Sequence, residues 1–512
     1  MSVSTVLLEH PRIESAAHFN DVANAPLSAC LMSGSIAALL QRHGHAVQLC
    51  ESYLRGDSFE ECFERLDGMR CDLLGVHAVY FWEHTPELFS FLERLRAAGR
   101  SMPIVLYGFF PTQAHARILE LFSCVDAVIL GEPEETFLEL VDALQRRGSF
   151  DAGVAAGVAC REGGRVVRGA QRALVSDLDG LPFPIRSELF LSRLGGQVLG
   201  SRGCPGACSF CCINPFYGCG PGWRGRTAAS ISAELEALLP RLQRKYVYFL
   251  DASFFVPGSA GRARRAEMAE MLGGHGIEFG LECRATDIDE QIVSCLARAG
   301  LRDVFLGVES VSATALKRMR KRIDRSKSRR AIELLRDCGI EPSLGFIMFG
   351  ADTTLAEVRE NFTFLQNGGL LTRLSNTADV LYHRQIVLQG APDFARYAEA
   401  GRLAGRDALG YEGRYRFADP SVQLLADLMA RACRFVLRRM GQSGSAVFWD
   451  RGQTPVAGRV NEYLAGLFET VLCRLERQEL ALSDDVLMAI EAEALCRIEG
   501  LLGETTVCQC GS

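Results

Sequence analysis

The stretch Gly203-Cys-Pro-Gly-Ala-Cys-Ser-Phe-Cys-Cys212 places Cys204, Cys208 and Cys211 in one short loop. Cysteine thiolates hold iron-sulfur clusters, normally four for each four-iron cluster. Three thiolates with this C-x3-C-x2-C spacing can therefore hold such a cluster while one iron stays open to another ligand. Cys212 and Cys219 lie nearby, so a four-cysteine zinc site is the alternative, although structural zinc sites usually take two separated pairs of ligands.

Length and composition predict a folded enzyme of two or three domains. The chain has 512 residues, of which 48% are hydrophobic and 23% charged, and this argues against long disordered segments. Its formal net charge of -6 gives no overall attraction to nucleic acid. No run approaches the roughly 20 apolar residues that a membrane helix needs. Nineteen cysteines without a secretory signal favour a reducing compartment, so we expect a cytoplasmic location.

Residues 1–149 alternate short apolar runs with helical patterns. Such alternation predicts right-handed crossovers and a doubly wound (Rossmann-like) parallel sheet. Ligands of these sheets bind beyond the carboxyl ends of the strands. The predicted strands are 5–8, 46–49, 73–76, 104–107 and 127–130.

A second strand-helix repeat occupies residues 191–385, after a linker at 150–190 that contains Pro182 and Pro184. Six units predict a partial (β/α)6 TIM-type barrel, and the cysteine loop follows its first strand, where barrel active sites lie. Residues 386–512 show three helical patterns, at 421–440, 460–478 and 484–502, which predict a small helical cap. The predicted barrel strands are 197–200, 246–251, 278–283, 304–308, 343–349 and 379–384.

The cysteine loop, with Phe210 before its last cysteine, resembles the signature of the radical S-adenosylmethionine (SAM) superfamily. The resemblance implies a 4Fe-4S cluster on Cys204, Cys208 and Cys211, with SAM chelating the open iron. It also implies cleavage of SAM to a 5'-deoxyadenosyl radical, and an electron donor such as flavodoxin or ferredoxin.

In such a barrel, polar residues at the strand ends contact SAM. Asp251 would receive the SAM amino group; capping of the next helix is the alternative role of this residue. Glu282 and Arg284 point the same way along a strand, so they could form an ion pair or contact SAM. Glu309 and Ser310 resemble the ribose-binding motif, and the segment 345–350 resembles the part that packs on adenine.

The first domain is similar to the cobalamin (B12)-binding domain that precedes the barrel in one branch of the superfamily. The resemblance rests on Pro26-Leu27, on segments 44–47 and 108–112, and on segment 126–132. It implies cobalamin contacts from His77, Gly108, Thr112, Gly131 and Glu132. A structural histidine at a strand end is the alternative for His77, and the bulky residues 80–82 could pack under a corrin or fill its place.

Three other features have open interpretations. The basic run 318–330 could bind phosphate or nucleic acid, but a solvated face is the favoured reading. Residues Tyr411, Glu412 and Arg414 could line a substrate pocket, or belong to a loop packed by its own aromatics. A second iron-sulfur cluster is an alternative to buried free cysteines and a frayed terminus for Cys473, Cys496, Cys508 and Cys510.

The resemblance implies an enzyme that tailors a small molecule, in a setting such as natural-product biosynthesis, without nucleic acid or membrane partners. The first hypothesis is cobalamin-dependent methylation of an unactivated carbon. The second is cobalamin-independent radical dehydration of a sugar or aminoglycoside, with a vestigial cobalamin-type domain, which needs an acid or base near the leaving hydroxyl. The third is a non-catalytic cobalamin or redox sensor. Tyr80 to Trp82 filling the corrin site would favour the second.

Overall fold

The structure is a computed structural model and describes residues 3–15, 18, 31–149, 151, 153–218, 220, 222–256, 258–407, 409–448 and 454–503. Cys219, Cys508, Cys510 and the pair Pro26-Leu27, on which sequence predictions rest, lie outside these residues. A search of the described helices finds none that is long and apolar enough to span a membrane.

The N-terminal sheet has seven strands in the order β2-β1-β3-β4-β5-β6-β7. Strands β1 to β5 pair in parallel, as predicted, and β6 and β7 extend the sheet in antiparallel pairing. The order reverses between β1 and β3, so their carboxyl ends form the switch point at which doubly wound sheets bind ligands. The strands are β1 Ser4–Glu9, β2 Ala46–Cys50, β3 Leu73–His77, β4 Ile104–Tyr107, β5 Ala127–Ile129, β6 Val158–Glu162 and β7 Arg165–Arg168.

Helices cover both faces of this sheet because successive strand residues alternate between two apolar cores. Val6 and Leu8 belong to the core under α3, α4 and α5, whereas Leu7 belongs to the core under α1 and α6. The helices are α1 Leu31–Arg42, α2 Ser52–Arg55, α3 Phe59–Asp67, α4 Thr85–Ala97, α5 Phe109–Leu121 and α6 Glu134–Arg147.

The second sheet is parallel, with the order β14-β13-β12-β11-β8. An antiparallel hairpin, β9 with β10, follows its first strand and carries the cysteine loop. Five of the six predicted barrel strands are confirmed. The strands are β8 Gly196–Val198, β9 Ser201–Cys204, β10 Gly222–Gly225, β11 Tyr246–Phe249, β12 Glu278–Arg284, β13 Leu301–Glu309 and β14 Ser343–Phe346.

The sixth predicted barrel strand, 379–384, is wrong in its first half. Leu374, Thr377 and Ala378 are buried with the i, i+3, i+4 spacing of a helix, so residues Leu374–Val380 form α15. One parallel bridge between Phe349 and Arg384 takes the place of the sixth strand. The helices around the sheet are α7 Glu188–Leu194, α8 Ile213–Phe216, α9 Ala228–Leu238, α10 Gly258–His275, α11 Glu290–Ala299, α12 Ala313–Arg318, α13 Arg325–Asp337 and α14 Leu355–Asn367.

The C-terminal region contacts both preceding domains. Its three long helices are confirmed and share the barrel core; Phe468, for example, stacks on Phe362 with ring centroids 4.7 Å apart. Leu388, Leu409 and Tyr411 instead join the core of the N-terminal domain. The elements are α16 Pro392–Glu399, β15 Leu403–Arg406, β16 Gly413–Tyr415, α17 Pro420–Gly441, α18 Pro455–Glu476 and α19 Asp484–Leu502.

Candidate active site

The cysteine loop begins at a backbone position that only glycine fits. Gly203 has a φ of 84°, and the carbonyl oxygen of Gly222 on β10 fills the space that a Cβ would need. The β9–β10 pairing therefore presses the two strands together just before Cys204. This fixes the start of the loop at the carboxyl end of the first barrel strands.

The loop then brings its thiols together around Gly206. A Cβ on Gly206 would lie 3.4 Å from the Cys204 Sγ and 3.8 Å from the Cys208 Sγ. The Gly206 amide donates to the Cys204 Sγ at 3.4 Å, and the Ile213 amide to the Cys211 Sγ at 3.5 Å. Amide hydrogen bonds to sulfur stabilise thiolates and tune the clusters that they hold.

The loop offers three thiols, the donor type that holds iron-sulfur clusters, in which each thiolate binds a different iron. Among the described residues, no three His, Cys, Asp or Glu side chains are grouped closely enough to hold one metal ion. Burial raises the pKa of the Cys208 and Cys211 thiols, because it disfavours the negatively charged thiolates. The positive charge of bound iron would stabilise these thiolates in place of their protons.

Cys212 has a different environment from the other cysteines of this loop. Its side chain is buried in the core of the N-terminal domain, beside Leu388 and Ala391. Burial raises its pKa to about 12, which keeps the thiol protonated and apolar in character. Because Cys212 packs into this core, Cys204, Cys208 and Cys211 remain the predicted ligand set of the loop.

Three inward-facing glycines on adjacent strands let neighbouring side chains lie close to the strands inside the barrel. A Cβ on Gly280 would meet the Tyr246 hydroxyl and the Tyr248 ring, and one on Gly345 would meet the Phe305 ring at 3.1 Å. A Cβ on Gly307 would lie 3.0 Å from the Lys321 Nζ. We call these three positions the glycine cradle; glycine inside a strand commonly marks a place where another group approaches the backbone closely.

Glu282 and Arg284 flank this cradle but do not form the ion pair that the sequence suggested. Arg284 instead makes a bidentate pair with Asp287, with N···O distances of 2.8 and 2.5 Å. Burial, and then the nearby Asp251 carboxylate, raise the pKa of Glu282 to about 7. Glu282 is therefore able to hold or release a proton near neutral pH.

Glu309 ends β13 in a left-handed conformation, with a φ of 67°. Its carboxylate pairs with the Lys321 Nζ at 2.9 Å. Such a conformation is uncommon for a non-glycine residue and occurs at functional sites. Ser310 is fully buried, and its hydroxyl donates to Asn361 at 2.9 Å, so its side chain is used inside the protein.

Asp251 lies below the cysteine hairpin. Its carboxylate accepts hydrogen bonds from the Gly200 amide at 2.9 Å and from the Ser201 hydroxyl. Burial raises its pKa to about 6. Asp251 thus holds the segment that leads into the hairpin, and its contact with SAM stays a prediction. Phe210 is half-buried in the turn between Cys208 and Cys211.

The switch point of the N-terminal sheet is filled by a buried polar cluster. Glu9 on β1 accepts from the His77 Nδ1 at 3.0 Å and from the Ser33 hydroxyl at 2.5 Å, and the Ser33 and Tyr107 hydroxyls are 2.7 Å apart. Burial opposes ionisation of Glu9, but the neighbouring His77 overcomes it and lowers the Glu9 pKa to about 2. We call Glu9, Ser33, His77 and Tyr107 the switch-point cluster.

An aromatic group closes the edge beyond this cluster. Tyr80 packs edge-on against Tyr411 with centroids 4.9 Å apart, and Phe110 lies at the same distance from Tyr411. The Tyr80 hydroxyl donates to Glu412 at 3.1 Å, and Trp82 is buried beside it. These side chains, with the switch-point cluster, occupy the carboxyl edge of β3 and β4. A corrin bound at this edge would lie against these rings or displace them, and the buried His77 Nε2 has no hydrogen-bond partner among the described residues.

Of the other predicted cobalamin contacts, Glu132 joins the N-terminal domain to the barrel, whereas Gly108, Thr112 and Gly131 bond one another. Glu132 pairs with Arg202 at 2.8 Å and with Arg224 at 3.0 Å, both on the cysteine hairpin. Burial opposes ionisation of Glu132, but these two guanidinium groups lower its pKa. The Thr112 hydroxyl bonds the Gly108 carbonyl at 2.7 Å and accepts from the Gly131 amide at 3.2 Å.

The remaining predicted residues are separated from the cysteine loop by their contacts. Tyr411 and Glu412 pack on Tyr80, whereas the Arg414 side chain is exposed on β16. Cys473 contacts Arg359 and Glu469, and Cys496 is exposed on α19. The predicted second cluster also needs Cys508 and Cys510, which lie outside the described residues, so it stays a prediction.

Sequence reasoning missed Asp287, Lys321 and Arg202 as partners of the site. Asp287 lies three residues after Arg284, a spacing that permits a local ion pair. Lys321 belongs to the basic run 318–330, which was interpreted as a solvated face. Arg202 lies two residues before the first cysteine of the loop. Glu309 lies 12 residues from Lys321 and Glu132 lies 70 residues from Arg202, so no local spacing identifies these two pairs.

Comparison with known proteins agrees with this geometry. The family model described as the radical SAM superfamily matches residues 198–365. The chain is 25% identical over 371 residues to the "Uncharacterized methyltransferase PH0819" of Pyrococcus horikoshii, over 71% of this chain and 78% of that protein. It is 26% identical to the anaerobic magnesium-protoporphyrin IX monomethyl ester cyclase of Rubrivivax gelatinosus (64% of this chain) and to the hopanoid C-3 methylase of Methylococcus capsulatus (61%). The match spans 59% of each of the latter two proteins.

The fold is similar to that of the cobalamin-dependent S-adenosylmethionine radical enzyme OxsB, solved with aqua-cobalamin and SAM bound. The TM-score is 0.76 at 17% identity, over 98% of this chain and 80% of that chain. At this identity the likeness shows the fold alone. It extends through the N-terminal sheet, the barrel and the C-terminal region, and a radical SAM fold implies a 4Fe-4S cluster and SAM.

Proposed function

We propose that this chain, a radical SAM enzyme with an N-terminal domain of the cobalamin-binding fold, modifies a small organic molecule by taking a hydrogen atom from one of its carbons. The observation that carries the proposal is the approach of two loop thiols at Gly206, beside the glycine cradle. A 4Fe-4S cluster with SAM would supply one electron and a 5'-deoxyadenosyl radical for this step. A flavodoxin- or ferredoxin-type protein is the proposed electron donor.

The chain's own residues would hold and orient these groups. Cys204, Cys208 and Cys211 would bind three irons, and the amides of Gly206 and Ile213 would stabilise the bound thiolates. The proximity of Arg284 to the loop supports a role in holding the SAM carboxylate, because its Cδ lies 4.0 Å from the Cβ position of Gly206.

The glycine cradle would accept the adenosine part of SAM. Glu309 stands at its edge with its carboxylate oriented by Lys321, which suits a hydrogen bond to a ribose hydroxyl. The buried Ser310 would support this position through Asn361 and not by direct contact. Asp251 would keep the hairpin in place below the cradle.

Two outcomes for the substrate radical have support. Relatives named as methylases favour methylation of an unactivated carbon, for which cobalamin would be the methyl carrier. The filled switch point and the aromatic edge favour a reaction without cobalamin, namely loss of water from a substrate that carries a hydroxyl next to the radical. The radical that remains after loss of water would then take one further electron from the donor protein and one proton to give the dehydrated product. The similarity to methylases makes the first outcome our leading proposal, and the second outcome rests on the packing of Tyr80 against Tyr411 at the sheet edge.

Dehydration also needs a group that can protonate the leaving hydroxyl, and Glu282 suits this role. It lies on the inner side of β12, two residues from Gly280, and its pKa of about 7 allows it to carry a proton at neutral pH. A sugar or aminoglycoside is the proposed substrate class, in natural-product biosynthesis. Glu282→Gln should then keep SAM cleavage and lose the dehydrated product.

The experiment is anaerobic turnover of the reconstituted enzyme with SAM, dithionite and a panel of polyhydroxylated amines, with and without added hydroxocobalamin. Deuterium transfer from substrate into 5'-deoxyadenosine is the expected result, and a product lighter by one water without cobalamin would establish dehydration. A product heavier by one methyl group that forms only with cobalamin would establish methylation instead. Absence of 5'-deoxyadenosine from protein with a full cluster would contradict the radical reaction itself.

A further inference from the structure

A basic cavity of about 930 Å³ opens beside the cysteine loop. Its floor is apolar and includes Val311 and Leu316, and its rim is strongly cationic. The cationic side chains are Lys317, Arg320, Lys321, Arg322, Arg325 and Lys327.

The charge of this rim is largely uncompensated. Lys321 is paired with Glu309, and Asp324, the acidic residue of the lining, bonds Ser326 and the Lys327 amide. The other five cations are exposed, and in the part of the chain that the structure describes none of them forms an ion pair. Arginines next to the rim do form ion pairs; Arg318, for example, pairs with Glu357 at 2.7 Å. The rim therefore presents a concentrated positive field.

The cavity is joined to the cysteine loop by direct contacts. Ala207, exposed between Cys204 and Cys208, lines the cavity. The Ser209 amide donates to the Met319 carbonyl at 3.0 Å, and the Ser209 hydroxyl to the Arg318 carbonyl at 3.2 Å. A molecule bound in the cavity would thus touch the loop that carries the thiols.

Arg320 occupies a position that would suit glycine. Its φ is 53°, in the left-handed region, directly after the end of α12. A charged residue in a conformation that favours glycine indicates that the side chain has a use at this place. It also provides a variant, Arg320→Gly, that removes the charge and relieves the backbone.

We propose that this basic cavity is the docking surface for an acidic one-electron donor protein of the flavodoxin or ferredoxin type. The proposal rests on the proposed function, in which the cluster takes one electron from outside for each SAM cleaved. The donor loses one electron and the cluster gains it, and no bond is formed between them. Exposed cations around a wide opening suit an acidic protein surface, because small-molecule sites are mostly apolar and enclose their ligand.

The test compares a triple variant, Lys317→Glu, Arg320→Gly and Arg322→Glu, with the wild type. A control with the same change in net charge, Arg70→Glu, Arg117→Gln and Arg146→Glu, alters exposed residues of the N-terminal domain. Each reconstituted protein is titrated with an acidic flavodoxin to obtain Kd. Cluster reduction by the flavodoxin hydroquinone, and separately by dithionite, is followed as bleaching of visible absorbance.

The triple variant should bind flavodoxin about tenfold or more weakly, and be reduced by it correspondingly slowly with a flatter dependence on salt. Its reduction by dithionite and the resulting SAM cleavage should match the wild type, and the control variant should behave as wild type throughout. Unchanged flavodoxin affinity and reduction rate would overturn the proposal. Loss of dithionite-driven SAM cleavage at full cluster content would also overturn it, because the cavity would then serve SAM or an anionic substrate.

The two proposals fail in different ways. Wild type that is reduced by dithionite but releases no 5'-deoxyadenosine would contradict the proposed function. The flavodoxin titration would still decide the docking surface in that case, since it measures binding directly.

Discussion

Removal of Arg202 should uncouple the N-terminal domain from the cysteine hairpin at a cost that the structure allows us to estimate. Its guanidinium bridges Glu132 at 2.8 Å and Glu134 at 2.6 Å, with side-chain exposures of 10%, 4% and 2% for the three residues. Removing one partner of a buried ion pair costs about 3–5 kcal/mol. Arg224 still compensates the charge of Glu132 in an Arg202→Met variant, so we expect this variant to lose about 3 kcal/mol of unfolding free energy, the lower end of that range.

This loss should depend on pH with a definite sign. The Glu132 pKa is lowered in the folded protein, so the stability gained from its ionisation is present above the unfolded pKa of about 4.5 and decreases as the pH falls below it. The difference between wild type and Arg202→Met should therefore be largest at neutral pH and shrink toward pH 4. An increase of the difference on acidification would have the wrong sign.

The assay is urea unfolding of the metal-free proteins followed by tryptophan fluorescence. Trp82 reports on the aromatic edge and Trp223 on the hairpin strand β10. Arg241→Met is the matched control, because Arg241 pairs with Glu188 on the surface at 2.8 Å and should cost under about 1 kcal/mol. A loss below about 1 kcal/mol for Arg202→Met, or one equal to that of the control, would refute the assignment of a buried clamp.

Two further predictions concern the sheet edge and the barrel. Tyr411→Ala, which removes a fully buried ring at the sheet edge, should lose about 3–5 kcal/mol of unfolding free energy in urea unfolding, and a loss below about 1 kcal/mol would contradict the packing of this edge. The pKa of Glu282 is higher in the folded protein than in the unfolded chain, so the folded protein keeps this proton to higher pH. The free energy of unfolding should therefore fall by on the order of 3 kcal/mol as the pH rises from about 4.5 through about 7. Glu282→Gln should remove this fall in urea unfolding between about pH 5 and 8. Equal pH dependence in the two proteins would show that the Glu282 carboxyl has an ordinary pKa.

Patterns that are local in sequence predicted most of the fold. Alternation of apolar runs with helices gave the doubly wound sheet and five barrel strands, because both depend on short-range periodicity. The prediction of a strand at 379–384 was wrong in its first half. The apolar residues there fit a strand, but the buried residues Leu374, Thr377 and Ala378 have the spacing of a helix. In so short an apolar run, periodicity alone does not distinguish a strand from a helix.

The candidate site was predictable where its residues share one loop. The three cysteines are such a case, since their C-x3-C-x2-C spacing within one loop marks them as candidate ligands. Contacts between residues that are distant in the sequence could not be predicted. His77 pairs with Glu9 on the neighbouring strand, and Glu132 pairs with Arg202 in the other domain. Tyr80 meets Tyr411 from the C-terminal region, so only the folded chain reveals that the edge is filled.

The central claim is that Cys204, Cys208 and Cys211 hold a cluster that cleaves SAM, and the most direct measurement is reductive release of 5'-deoxyadenosine by two neighbouring variants. Cys208→Ala should lose the cluster absorption and all 5'-deoxyadenosine while the N-terminal domain keeps its far-UV dichroism. Cys212→Ala, which changes a buried core thiol, should retain both the cluster and SAM cleavage. Equal 5'-deoxyadenosine from Cys208→Ala and wild type would contradict the account.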